Sequence, residues 1–220
     1  MGNKFKKARN DPAEPETALP GGEDKRSELK SEIIRKLIHF LIALSPLMAS
    51  INRLFTLIFL LAGTVSYAIF EILRLKGINV PLISALTAMA SRPRDRGHFV
   101  LAPVTLGMGA FLSLLLFQPL AAAIAIYALA FGDSCAALAG KFFGRLKPPF
   151  LFGKSIEGSL ACFAVVFLSS YLVSSNITIA LFAALAAMLA ESLPLEDFDN
   201  LALPLAVGLV VQLTAASGRF

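Results

Sequence analysis

Between Pro119 and Gly140 the chain carries one charged residue, Asp133. A carboxylate in such apolar surroundings is costly unless it is paired or holds something, so it marks a functional-site hypothesis by default. Steps of four, three and four residues from Asp133 reach Ala137, Gly140 and Gly144. One helix face would then carry an acid and no bulky side chain. Such a face admits a phosphate chain close to the backbone, and it serves equally well as a small-residue packing seam. Lys141, Arg145, Lys147 and Lys154 follow closely. Cations hold and neutralise phosphates, and a carboxylate holds the divalent ion that bridges them. The run Gly153-Lys154-Ser155 ends like a Walker A loop, but Pro148 stands where the first glycine is required and no strand precedes it, so the chemistry is not of the P-loop type.

Three further groups carry polar chemistry. Glu32, Arg35, Lys36 and His39 open the first long apolar segment, with Arg35 and His39 four residues apart on one helix face. The basic pair also suits snorkelling at a membrane interface, whereas His39 lies a turn deeper and is expected to point into the bundle. Glu71 and Arg74 form a pair at the end of the second segment, structural or part of a site. Glu191, Pro194, Asp197, Asp199 and Asn200 form an acidic turn. Carboxylates with an amide oxygen are hard ligands suited to Mg²⁺, and a helix cap at Asp199 or Asn200 would account for one of them.

The elements that must position these groups follow from composition. Of 220 residues, 56% are hydrophobic and 16% charged, and the mean hydropathy is +0.73. That is a polytopic, all-α membrane bundle, not a soluble domain. Apolar segments at roughly 37–51, 54–73, 99–117, 119–140, 158–174, 177–193 and 201–216 predict about seven transmembrane spans, at about 17 to 25 residues per span. The shorter piece 80–90 is expected to be an interfacial or re-entrant helix. If it crossed, Arg92, Arg94 and Arg96 would lie outside, against the positive-inside tendency. With the N-terminus inside, every long polar loop then falls on the cytoplasmic side. Residues 1–30 read as a mobile tail and 31–220 as one membrane-embedded catalytic domain. Nine of the 20 Lys and Arg lie between Lys4 and Lys36, which suits anionic headgroups. Seven acids interrupt the run, so nucleic acid is not an expected partner. No cleavable signal peptide is expected, and Cys135 and Cys162 read as reduced core residues.

Arg35-Lys36 with His39, Gly132-Asp133 with Gly140 and Gly144, the segment Gly153-Lys154-Ser155-Ile156-Glu157-Gly158, and Glu191 with Asp199-Asn200 together resemble the polyprenol kinase family. That family comprises dolichol, phytol and CTP-dependent diacylglycerol kinases and is related to the phosphatidate cytidylyltransferases. The likeness runs in order from about residue 31 to residue 213. It implies a CTP-dependent kinase acting on a lipid alcohol, with Mg²⁺ as cofactor. Carried over residue by residue, it implies Asp133 with Glu157 or Asp199 on the metal, and Lys141, Arg145 and Lys154 on the phosphates. Gly132, Gly140, Gly144 and Gly158 would allow close backbone approach, with Ser155 beside them. His39 or Asp133 would accept the hydroxyl proton, near Arg35 and Lys36. Glu71, Arg74, Glu191 and Asn200 complete the expected surroundings. The partners would be CTP, the lipid alcohol and membrane lipids, with a homodimer admissible. A cytidylyltransferase is the alternative enzyme, and a small proton-coupled transporter using Asp133 and His39 as a relay is the alternative of another class.

Overall fold

The computed structural model describes residues 22–78, Pro81 and residues 97–217. Among these every regular element is helical: α1 (Gly22–Ile42), α2 (Ser45–Ile51), α3 (Arg53–Leu75), α4 (Ala102–Leu116), α5 (Pro119–Tyr127), a π turn (Ala128–Gly132), α6 (Asp133–Phe143), α7 (Ile156–Ser174), α8 (Ile177–Ser192) and α9 (Asp199–Ser217), with short 3₁₀ turns at Pro149–Leu151 and Glu196–Phe198. Each of the seven expected apolar segments is helical. Five helical stretches are long and apolar enough to cross a membrane: Ser31–Ile51, Arg53–Leu75, Pro119–Phe143, Ile156–Ser174 and Glu196–Ser217. α4 and α8, at 15 and 16 residues, fall short of the usual span length. α1 begins at Gly22, inside the stretch expected as a tail, and the expected short helix 80–90 with Arg92 to Arg96 lies almost wholly outside the described residues.

Local chemistry explains the helix boundaries. Asn52 accepts a hydrogen bond from Phe55 N at 3.0 Å, and Asn176 accepts from Thr178 N and Ile179 N, so each satisfies amides left orphaned at a helix start. Pro119 occupies the first turn of α5, where its missing N–H costs nothing. Ser175, at φ 51°, breaks α7 from α8.

The stretch α5–π turn–α6 is the axis of the bundle. It is 67% buried, against 22–33% for the other four long stretches. Its Ile124 and Leu129 share one core with Val166, Leu203, Val207 and Val211 of the surrounding helices. Large side chains such as Phe55, Phe59, Leu172 and Leu213 point outward instead. In water that surface would be a liability; in a bilayer it is the solvated face.

α3 and α4 run antiparallel, with Arg53 meeting Leu114 at one end and Glu71 meeting Val100 N at the other, and the chain's polar groups sort to two ends. One end gathers the second half of α1, α6, the starts of α7 and α9 and the finish of α8. The other end holds the α2–α3, α4–α5 and α7–α8 turns. There Arg53 donates to Leu114 O (3.0 Å from Nε) and Phe117 O (3.1 Å), closing the last turn of α4, and Gln118 N donates to Gln212 Oε1 at 2.9 Å.

Candidate active site

A cleft of about 240 Å³ opens at the first of these ends. α1 supplies Glu32, Arg35 and Lys36, which one turn of helix places side by side. α6 supplies Asp133 and Lys141, α7 with its preceding loop supplies Lys147, Lys154 and Ser155, and the α8–α9 turn supplies Glu191 and Asp199. Five cations and four carboxylates thus line one space.

Most of these charges are matched across elements that are distant in sequence. Lys36 donates to Asp133 Oδ2. His39 Nδ1 stands 3.2 Å from the same oxygen, out of line for a hydrogen bond. Glu32 pairs with Arg35 and, through Oε2, with Lys141 Nζ at 2.9 Å. Lys154 reaches Glu191 Oε1 at 3.3 Å and donates to the Glu191 backbone carbonyl. Ser159 Oγ donates to Glu191 Oε2 at 3.2 Å. Matched pairs lower the cost of holding charge away from water, and their cations remain able to exchange a carboxylate for a phosphate.

Ala136, Ala137, Gly140 and Gly158 form the floor. A Cβ on Gly158 would lie 2.8 Å from Ala136 O and 3.4 Å from the Gly140 Cα, so α6 and α7 touch backbone to backbone. The small-residue face is therefore a packing seam and an open floor at once; the two readings of the spacing do not exclude each other. Ser155 caps α7 by accepting from Gly158 N at 3.1 Å. The π turn just before Asp133 rotates α6 relative to α5, and such single-turn bulges favour functional positions.

Several expected site residues lie elsewhere. Glu157 turns its carboxylate onto the backbone N–H groups of Arg145 (3.0 Å) and Leu146 (3.1 Å), where it pins the α6–α7 loop instead of facing the cleft. Arg145 is exposed outside the cleft, and Gly144 packs against Ser155, with a Cβ there 2.8 Å from Ser155 Oγ. Gly132 packs on α7, where a Cβ would come within 2.6 Å of Val166 Cγ2. His39 lies behind Asp133, beside a narrow crevice against Val100, Pro103 and Leu106. Glu71 is fully buried and accepts from Val100 N (3.0 Å) and from Arg74, which also donates to His98 O at 3.2 Å. That pair ties the end of α3 to the segment before α4. Asn200 Nδ2 donates to Thr105 Oγ1 at 3.1 Å, tying α9 to α4.

Other contributors were not assigned a role from sequence. Glu32 bridges Arg35 and Lys141, and its three-residue spacing from Arg35 was the available signal. Ser159, one turn after Ser155, gave none. As for a metal, no group of three His, Cys, Asp or Glu among the described residues stands close enough to hold an ion. Asp133, Glu191 and Asp199 nonetheless line the cleft from three elements. Such a set fits a Mg²⁺ that takes one or two carboxylates and completes its shell with phosphate oxygens and water; it does not fit a preformed cage, and Glu157 is no part of it. Cys162 is buried and Cys135 partly so, both as free thiols. No family model matches the chain, and no curated protein and no solved structure matches it. Function is therefore read from the cleft.

Proposed function

We propose that this protein is a membrane lipid-alcohol kinase, moving the γ-phosphoryl group of a nucleoside triphosphate, CTP by the resemblance above, to the hydroxyl of a prenol, polyprenol or diacylglycerol. The observation that supports it is the cleft itself: Lys141, Lys147, Lys154 and Arg35 converge with Asp133, Glu191 and Asp199 over a floor of glycine and alanine. Phosphoryl transfer asks mainly for positioning and charge neutralisation. The cleft's 240 Å³ holds about eight groups of water size at about 30 Å³ each, enough for a phosphate chain with the base left at the mouth. Lys141, Lys147 and Lys154 take the phosphate oxygens. The lipid hydroxyl donates to Asp133, which lies in the cleft while His39 stands behind it, so Asp133 is favoured over His39 as proton acceptor. Lys36 offsets the charge of Asp133 and fixes its orientation. Mg²⁺, held by Asp199 with Asp133 or Glu191, would neutralise the β- and γ-phosphates.

In this reading all seven apolar helices cross, α4 and α8 in a locally thinned region, and the cleft faces the cytoplasm. Single cysteines at Lys147 and Asn176, in a background lacking Cys135 and Cys162, should then label from opposite sides with an impermeant thiol reagent; labelling from one side would refute the topology. The reaction is tested by incubating purified protein with γ-labelled and α-labelled CTP and a panel of phytol, polyprenol and diacylglycerol. Label from the γ position on lipid supports the kinase. Label from the α position on a lipid phosphate, with pyrophosphate released, establishes the cytidylyltransferase instead. A transporter would need polar groups along its whole path. At the bare end, Arg53 and Gln212 are instead engaged with backbone at helix ends.

A further inference from the structure

A second concavity, of about 650 Å³, lies between α2, α4, α5 and the end of α7, toward the bare end of the bundle. Its walls are Pro46, Leu47, Ala49, Ala122, Ala123 and Tyr127. It is more than twice the size of the charged cleft and mostly apolar, with Ser50 and Arg53 the polar exceptions beside the Tyr127 hydroxyl. Arg53 closes its far end, with the guanidinium already spent on the Leu114 and Phe117 carbonyls.

The concavity and the candidate active site lie along one seam, where α1 and α2 run beside the α5–π turn–α6 stretch: Lys36 meets Asp133, Phe40 meets Phe131, and Pro46 and Ser50 line the concavity with Ala122 and Ala123. Tyr127, at its inner limit, stacks on Phe131 at 5.7 Å between ring centroids, and Phe131 meets Phe40 of α1 at 5.5 Å. All three rings are half-buried, so they keep open surface. Phe40 is next to His39, and Phe131 is two residues before Asp133. Along this seam the carboxylate, the three aromatic rings and the cavity follow one another in order. From Asp133 to Pro119 it covers 14 residues, roughly 21 Å at the α-helical rise, most of the thickness of a hydrocarbon core of about 30 Å.

We propose that this groove holds the hydrocarbon chain of the acceptor lipid, with its hydroxyl at Asp133, so that the protein selects long-chain alcohols by filling the cavity. The proposal rests on the lipid-kinase reading for its acceptor. An aromatic and aliphatic seam suits an unbranched or isoprenoid chain, and closure at Arg53 sets an end to the length that gains by contact.

The experiment has two arms. In the first, Ala123→Phe on α5 and, independently, Ala49→Phe on α2 fill the cavity from opposite walls, with Ala123→Ser as control. The ratio of kcat/KM for phytol over isopentenol should fall at least about tenfold in either phenylalanine variant, on the scale that pocket methylenes discriminate, and stay near wild type in Ala123→Ser. An unaltered ratio in a folded variant overturns the proposal. In the second arm, the wild-type protein is irradiated with a long-chain alcohol carrying a terminal diazirine. Label should map to residues 45–51 and 119–127, be displaced by phytol and not by isopentenol, and vanish in Ala123→Phe. Label spread over the outward faces of α3 and α9, undisplaced by phytol, would show bilayer lipid only. If no alcohol receives phosphate, the kinase reading fails, and the labelling arm still decides whether the cavity takes a long-chain alcohol.

Discussion

The two ends of the bundle are built from the same kinds of helix and differ in what their turns carry. At one end, links of one or two residues close with Asn caps and with Arg53, whose donors end on backbone carbonyls. At the other, charged side chains from α1, α6, α7 and the α8–α9 turn are held against one another at a cleft. A bundle needs only the first kind of end to be closed. Buried charge is paired at a cost in stability relative to an apolar core, so an end that concentrates it is where function is to be sought.

The contrast can be broken most sharply at Asp133. Asp133→Asn is expected to lower phosphoryl transfer by roughly three orders of magnitude while the protein remains monodisperse in detergent, whereas Gln212→Ala at the bare end should change transfer little. Comparable losses in both would remove the distinction between the ends. Lys154→Ala and Asp199→Ala should each lower nucleotide use by about two orders of magnitude, and a chelator should abolish it. Because both line one cleft, the double variant should be little worse than the worse single variant; strict additivity in a rate assay would separate them into two sites.

A smaller effect concerns stability. Lys36→Ala leaves the Asp133 carboxylate without its cation, a loss of about 3 to 5 kcal/mol for a buried pair, and Lys36→Ala with Asp133→Ala should recover most of it in thermal unfolding. Failure of the double variant to recover would mean that the pair is not coupled. The smallest effect on turnover is expected at Glu71→Gln. That change weakens the tie to Arg74 and Val100 N and should cost about 1 to 3 kcal/mol of stability with kcat nearly intact. A folded Glu71→Gln variant without activity would extend the site to the end of α3.

How much of this was legible beforehand can be followed residue by residue. Asp133, Lys154 and Glu191 stood out because a charge in an apolar run, or an acidic turn between two apolar runs, departs from what a bilayer tolerates; all three line the cleft. Ala137 and Gly140 were legible as parts of a small-residue face, and both line the cleft, whereas Gly144 packs on Ser155. Glu157 looked like a ligand because sequence shows a carboxylate's presence and not its direction. Its oxygens were taken by the loop's own amides. Arg145, beside the cations that face the cleft, ends outside it because the chain leaves the helix at Gly144. The aromatic wall of Phe40, Phe131 and Tyr127 was invisible, since it joins residues of two helices.

By itself the sequence determined that the chain is helical and apolar enough for a membrane, where most of its apolar helices run, and which residues carry charge in apolar surroundings, but not that α1 reaches back to Gly22. These follow from hydropathy, run length and capping, which are local properties. Only the tertiary structure decided that Lys36 meets Asp133 and that Lys154 meets Glu191, across 97 and 37 residues of chain. It also decided that Glu157, Glu71 and Asn200 serve the scaffold instead. Pairing depends on which helix faces meet and at what height, and many sequences of equal hydropathy would set those heights differently.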